Sequence, residues 1–237
     1  MKLFKYLANI SSFLNSILGM IAVYYLLTMP GEHRVLVTKI VVLAEIFDAL
    51  DGRFSRMSTE PNPIGKILDS LSDGITSGLV PFLVAYSLMS GVPSLIAYLS
   101  SGFLLFASFY RLIRFTKAPT KNVFQGVPVT LPAVLFISAY AMAWPTGWYI
   151  VILCIVSGLL MMSRLPYTSL KGKRDPVEQT AFLLGSLGLA LYVLLPPPWF
   201  DIFPPIFFWY VIFYYTYGLI HTVYVKKWFF PKYWEDD

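Results

Sequence analysis

Long uncharged runs of about 20 residues, broken by short turn-forming segments, fill most of this 237-residue chain and restrict what it can become. A segment that crosses hydrocarbon must satisfy its own backbone N–H and C=O groups, and in an unpaired segment only a helix does so. Composition agrees: 57% of residues are apolar and 13% charged, against about a quarter charged in an ordinary soluble domain. The chain therefore reads as an all-α integral membrane protein forming one domain over residues 1–237. About eight transmembrane helices are expected, near 7–29, 35–55, 66–89, 94–115, 127–144, 147–164, 177–196 and 203–226. The breaks carry turn chemistry: Met29-Pro30-Gly31, Pro61-Asn62-Pro63, Gly91-Val92-Pro93, Trp144-Pro145-Thr146-Gly147 and Pro196-Pro197-Pro198. The fifth span contains Pro128 and Pro132, which a membrane helix tolerates when neighbours satisfy the freed backbone groups. Leu7 to Leu27 is too long for a signal-peptide core and ends in TMPGEHR, so it is expected to be a span. Cys154 is the only cysteine, which excludes an intrachain disulfide and a cysteine-based metal site.

The basic residues give this topology an independent check. With eight spans, sixteen of the 18 Lys and Arg fall on one side of the membrane. They are Lys2 and Lys5; Arg53, Arg56 and Lys66; Arg111, Arg114, Lys117 and Lys121; Arg164, Lys171, Lys173 and Arg174; and Lys226, Lys227 and Lys232. Arg34 lies opposite, and Lys39 falls inside a span. The positive-inside rule then puts both termini on the cytoplasmic side of a cytoplasmic membrane. The net charge of +5 reads as topology and contact with membrane lipids, with no warrant for nucleic-acid binding.

Against this apolar background, Asp48, Asp51, Asp69 and Asp73 crowd into 26 residues, DALDGRFSRMSTEPNPIGKILDSLSD. Carboxylates at membrane depth are costly unless paired, metal-bound or facing a wet cavity, so they mark function by default. The i,i+3 and i,i+4 spacings put each pair on one helical face. Two such pairs on adjacent helices can surround hard cations with oxygen ligands, leaving positions open for phosphate. The bland alternative is a solvated helix end, or a structural network with Arg53, Arg56 and Lys66. Four carboxylates at this spacing beside Gly52 and Gly65 favour the metal site.

Asp48-x2-Asp51-Gly52-x2-Ser55-Arg56-x8-Gly65-x3-Asp69-x3-Asp73 resembles the signature of the CDP-alcohol phosphotransferase family, D-x2-D-G-x2-A-R-x8-G-x3-D-x3-D. Every spacing is met; Ser55 replaces the family's alanine, a small-for-small change. The resemblance implies a six-helix core, about residues 1–172, with two additional C-terminal helices at about 177–226. It further implies two divalent cations, Mg2+ or Mn2+, held by Asp48, Asp51, Asp69 and Asp73, with Asp73 also the general base. A CDP-activated lipid would be the donor and CMP the released product. Gly52, Arg56 and Gly65 belong to the CDP pocket in the family. Ser12, Asn15 and Gly19 fall where the family has T-x2-N-x3-G near the nucleotide, so Ser12 and Asn15 join that set. The resemblance also suggests a homodimer.

Three further stretches resemble the serine-using branch, the CDP-diacylglycerol–serine O-phosphatidyltransferases or an archaeal-lipid counterpart. They are Arg111-x2-Arg114-Phe115, Phe124-x-Gly126-x-Pro128 and Met162-Ser163-Arg164 through Tyr167, Ser169 and Lys171. A serine site needs a cation for the carboxylate, and Arg111 and Arg114 share a face at the end of the fourth span. Both are expected to point toward the aspartates as acceptor residues, with headgroup anchoring as the alternative. Inositol phosphate or glycerol phosphate would also want basic residues, so the arginines alone do not choose. From another class, a divalent-cation transporter could use four carboxylates. Transporters, however, usually place polar groups at midplane on repeated halves, and neither feature is visible here. Glu45, one turn before Asp48, is either support for the cluster or helix packing. His33 and His221 have no partner in sequence, Cys154 reads as packing, and the many Tyr and Trp near span ends read as interfacial anchors.

Overall fold

A computed structural model describes residues 2–58, 62–117, 123–163, 165–168, 188, 191–194 and 201–220. In chain order these form α1 (Lys2–Thr28), α2 (Arg34–Met57), α3 (Pro63–Asp73), a π-helical turn (Gly74–Leu79) and α4 (Val80–Leu88). There follow α5 (Ser94–Lys117), β1 (Val123–Gln125), α6 (Thr130–Met142), α7 (Trp148–Met162), β2 (Pro166–Thr168) and α8 (Phe203–Ile220). The helices match seven of the expected spans; most of the one at 177–196 lies outside the described residues. Segments 4–28, 64–88, 94–115 and 203–220 are each long and apolar enough to cross a membrane. The helices at 130–142 and 148–162 are apolar but shorter. The second span is too rich in Asp, Glu, Lys and Arg to qualify by apolarity alone, because it carries half of the aspartate cluster.

Packing is that of a membrane bundle. Val37, Val41, Leu104, Leu135, Phe136, Tyr140, Ile150 and Met161 fill the interior. Leu95 (70% exposed) and Leu99 (64%) point outward, as lipid-facing side chains do. Serines within the helices return their hydroxyls to carbonyls one turn earlier, as Ser16 does to Ser12 and Ser108 to Leu104, so they need no external partner. α1 packs along α2 and α3. Gly19 permits the close approach, since a β-carbon there would sit 2.6 Å from the Thr76 methyl and 2.8 Å from Ile75.

Local chemistry sets the helix ends. Asn62 caps α3, its side-chain oxygen accepting from Gly65 N at 3.1 Å, with Pro63 opening the helix. Pro81 has no N–H to return to the Ser77 carbonyl, and the π-helical turn directly precedes it. α6 ends with Ala143 in the left-handed region (φ 56°). α8 seats Phe207, Phe208, Val211 and Tyr215 in the interior, and the Tyr215 hydroxyl donates to Ser157 Oγ of α7 at 3.3 Å.

The reading of the fifth span needs correction. Pro128 does not lie within the fifth span, because the helix begins at Thr130 and only Pro132 is inside it. The preceding residues instead form β1, which pairs antiparallel with β2, Val123 opposite Thr168 and Gln125 opposite Pro166. Gly126 (φ 78°) turns the chain from β1 toward α6, and a β-carbon there would meet the Met161 carbonyl oxygen at 2.6 Å and that of Ser163 at 2.9 Å. Gly126→Ala is therefore expected to cost more than about 1 kcal/mol, read as a lower midpoint of thermal unfolding in detergent. An unchanged midpoint would show that the turn relaxes freely.

Candidate active site

α2 and the helix beginning at α3 carry the aspartates to one place. One carboxylate oxygen from each of Asp48, Asp51 and Asp69 lies within 4.8 Å of the others, the spacing of ligands around a single cation. Asp73 approaches Asp48 within hydrogen-bonding range, and its Oδ1 is buried with no hydrogen-bond partner. Asp51 is buried and accepts from Ser12 Oγ of α1 at 2.5 Å. Arg53, Arg56 and Lys66 are exposed on the same helices. A crowd of carboxylates with an unpartnered oxygen is unfavourable by itself and suits hard divalent cations, which take oxygen ligands from Asp.

α1 forms the adjoining wall. Asn15, one turn beyond Ser12, is fully buried, and neither its Oδ1 nor its Nδ2 has a hydrogen-bond partner. Such an amide costs about 1–3 kcal/mol unless a ligand or water supplies partners. Gly52 leaves open space; a β-carbon there would meet only the Arg56 guanidinium, at 3.7 Å. The room beside Gly65 is taken by Asn62, whose Nδ2 donates to Asn9 Oδ1 of α1 at 2.6 Å. That amide pair ties the start of α3 to α1; the sequence marked Asn62 only as part of a turn, and Asn9 drew no notice.

The two arginines proposed for an acceptor separate. Arg111 is 7% exposed, its Nε has no partner, and it lies in electrostatic range of Asp73. Arg114 turns instead to the end of α7, donating Nη1 to the Met162 carbonyl at 3.1 Å and Nη2 to that of Ser163 at 3.2 Å. Glu45 is buried and accepts from the Ser77 hydroxyl at 3.0 Å, joining α2 to the π-helical turn directly behind the cluster. Tyr25 packs edge-on against His33, and Cys154 is buried in the core. Arg164, Ser169, Lys171, Lys173, Arg174 and His221 lie outside the described residues.

A helical membrane bundle with an oxygen-ligand site at the end of its second and third spans, opened by the Asp-x2-Asp-Gly…Gly-x3-Asp-x3-Asp pattern, defines a class of enzyme. The sequence profile of CDP-alcohol phosphatidyltransferase matches residues 5–160, and the chain belongs to that family of membrane phospholipid-synthesis transferases. It is similar to the CDP-diacylglycerol–serine O-phosphatidyltransferase of Helicobacter pylori, 25% identical over 89% of this chain and 91% of that protein. The Mycobacterium leprae protein of the same name is 24% identical over 83% of this chain and 69% of its own. The archaetidylserine synthase of Methanothermobacter thermautotrophicus is 29% identical over 70% and 71%.

Asn15 yields a two-sided expectation. Asn15→Leu, close in volume, should leave thermal stability unchanged or raise it, because it removes two unpaired buried polar atoms. It should weaken CMP binding by about tenfold or more, the effect of losing one or two hydrogen bonds. Retained CMP affinity would take Asn15 out of the nucleotide site.

Proposed function

We propose that this enzyme transfers a phosphatidyl-type group from a CDP-activated lipid, CDP-diacylglycerol or CDP-archaeol, to the hydroxyl of L-serine, releasing CMP. The observation that carries this reading is a buried arginine with an unpartnered nitrogen, Arg111, in electrostatic range of the aspartate best placed to act as base, Asp73. An acceptor that bears a carboxylate for the guanidinium and a hydroxyl for the aspartate matches the chemistry of this pair. The names of the relatives point the same way.

In this mechanism Asp48, Asp51, Asp69 and Asp73 would hold two divalent cations, Mg2+ or Mn2+. When bound, the cations supply positive charge that polarises the diphosphate and offsets the charge on departing CMP. Ser12 holds Asp51 in place through its hydroxyl, and Asn15 offers its amide to the nucleotide. The space over Gly52 admits the nucleotide close to the α2 backbone. Arg56 binds phosphate through its fork of donors. Arg111 takes the serine carboxylate and aims the hydroxyl at Asp73. Asp73 accepts the hydroxyl proton as the serine oxygen attacks the lipid-side phosphorus. The new P–O bond forms as the bond to the CMP oxygen breaks.

The asymmetry of Lys and Arg supports a cytoplasmic site with both termini inside. Family resemblance supports a homodimer, with residues 1–172 as the core and the C-terminal helices as additions.

The purified protein, given a CDP-lipid and Mg2+ or Mn2+, should release CMP with serine and far more slowly with inositol phosphate or glycerol phosphate. Faster release with either phosphate would keep the chemistry and overturn the acceptor. Asp73→Asn should lower turnover by about 10²–10⁴, the span of general-base contributions, and retain part of the metal binding. Turnover near wild type in that variant would remove Asp73 as the base.

A further inference from the structure

The described parts of the stretches that resemble the serine-using branch meet at one junction. Arg114 extends from α5 to the last carbonyls of α7, those of Met162 and Ser163. Helix-terminal carbonyls have no partner within their own helix, and a cation there also complements the helix dipole. The guanidinium is further held over the Tyr110 ring, 5.8 Å from its centre. The same end of α7 receives the chain leaving β1: Val127 N donates to the Leu160 carbonyl at 3.2 Å, and Gly126 N to that of Leu165 at 2.9 Å. Leu160, Met162, Ser163 and Leu165 thus bind the end of α5 through Arg114 and the approach to α6 through Gly126 and Val127. One turn back along α5, Arg111 is buried in range of Asp73.

We infer that Arg114 is a positioning residue: it locks the end of α5 to the end of α7 and so fixes the buried Arg111, one turn back on the same helix, without touching the acceptor itself. The inference rests on the serine reading above and deepens it by dividing the labour of the two arginines. Arg111 and Arg114 are i,i+3 on one rigid helix, so a shift of the α5 end displaces Arg111 directly. A planar guanidinium can span two carbonyls, whereas the ammonium of lysine is a point donor without that fork, so the pair is not interchangeable here. Arg114, Gly126 and the residues from Met162 to Ser163, one from each of the three stretches, thus belong to one clamp.

The test is the Michaelis constant for serine and, separately, for CDP-lipid in wild type, Arg111→Gln, Arg114→Gln, their double variant and Arg114→Lys. Arg114→Gln should raise the serine constant by about tenfold or more, the scale of an ångström misplacement, and leave the CDP-lipid constant within about threefold. The double variant should be no worse than Arg111→Gln alone, because Arg114 acts through Arg111. Arg114→Lys should recover part of the loss; if Arg114→Gln fails to bind CDP-lipid, Arg114→Lys takes its place in the comparison. Multiplying losses in the double variant would overturn the inference, since Arg114 would then contact serine independently. A parallel rise in both Michaelis constants would also overturn it. A wild-type enzyme whose CMP release ignores serine would instead overturn the acceptor reading, and this inference with it.

Discussion

Placing several carboxylates among membrane helices is the constraint on which the rest of the structure depends. An uncompensated charge at such depth costs several kcal/mol, and mutual repulsion adds to the cost. Here Asp48, Asp51 and Asp69 bring oxygens within 4.8 Å of one another, and Asp73 adds an oxygen with no partner. Divalent cations would turn that liability into a binding site, which would give the arrangement a reason to persist. The surroundings serve to hold it: Ser12 fixes Asp51 from α1, Glu45 and Ser77 join α2 to the π-helical turn, and Asn9 with Asn62 secures the start of α3. α1 is accordingly a wall of the site, closely packed at Gly19 and carrying the unpaired amide of Asn15 inward.

The opposite wall is organised around the end of α7. Its terminal carbonyls serve as acceptors for Arg114 and for the backbone leading into α6, so one helix end sets the relation of three helices. Arg111 then contributes a cation near Asp73 that the aspartates do not need for their own neutralisation once metal is bound. If Asp73 is the base, as proposed, a cationic group in its range is what an acceptor with a carboxylate and a nucleophilic hydroxyl requires, and this links the fold to the proposed choice of serine.

Much of this was legible in the sequence. Turn residues set the span boundaries: Gly31, Gly91 and Gly147 all adopt positive φ at breaks read from Pro and Gly. The helical periodicity of the aspartates correctly brought them together. Other features were hidden because they depend on tertiary contact. Nothing in the spacing of Arg111 and Arg114 says that one faces the site and the other caps a neighbouring helix. Pro128 reads as part of an apolar run until β1 pairs with β2 and delays the start of α6 to Thr130. The Asn9–Asn62 pair joins residues 53 apart in sequence, and no local pattern announces it.

The central claim is that these four carboxylates form a divalent-cation site, and anomalous scattering from crystals grown with Mn2+ and CMP tests it most directly. The account predicts two manganese peaks between α2 and α3, with oxygens of Asp48, Asp51, Asp69 and Asp73 within about 2.0–2.6 Å, the range for hard cations. Manganese found elsewhere, or absent from between these side chains at saturating concentration, would contradict it.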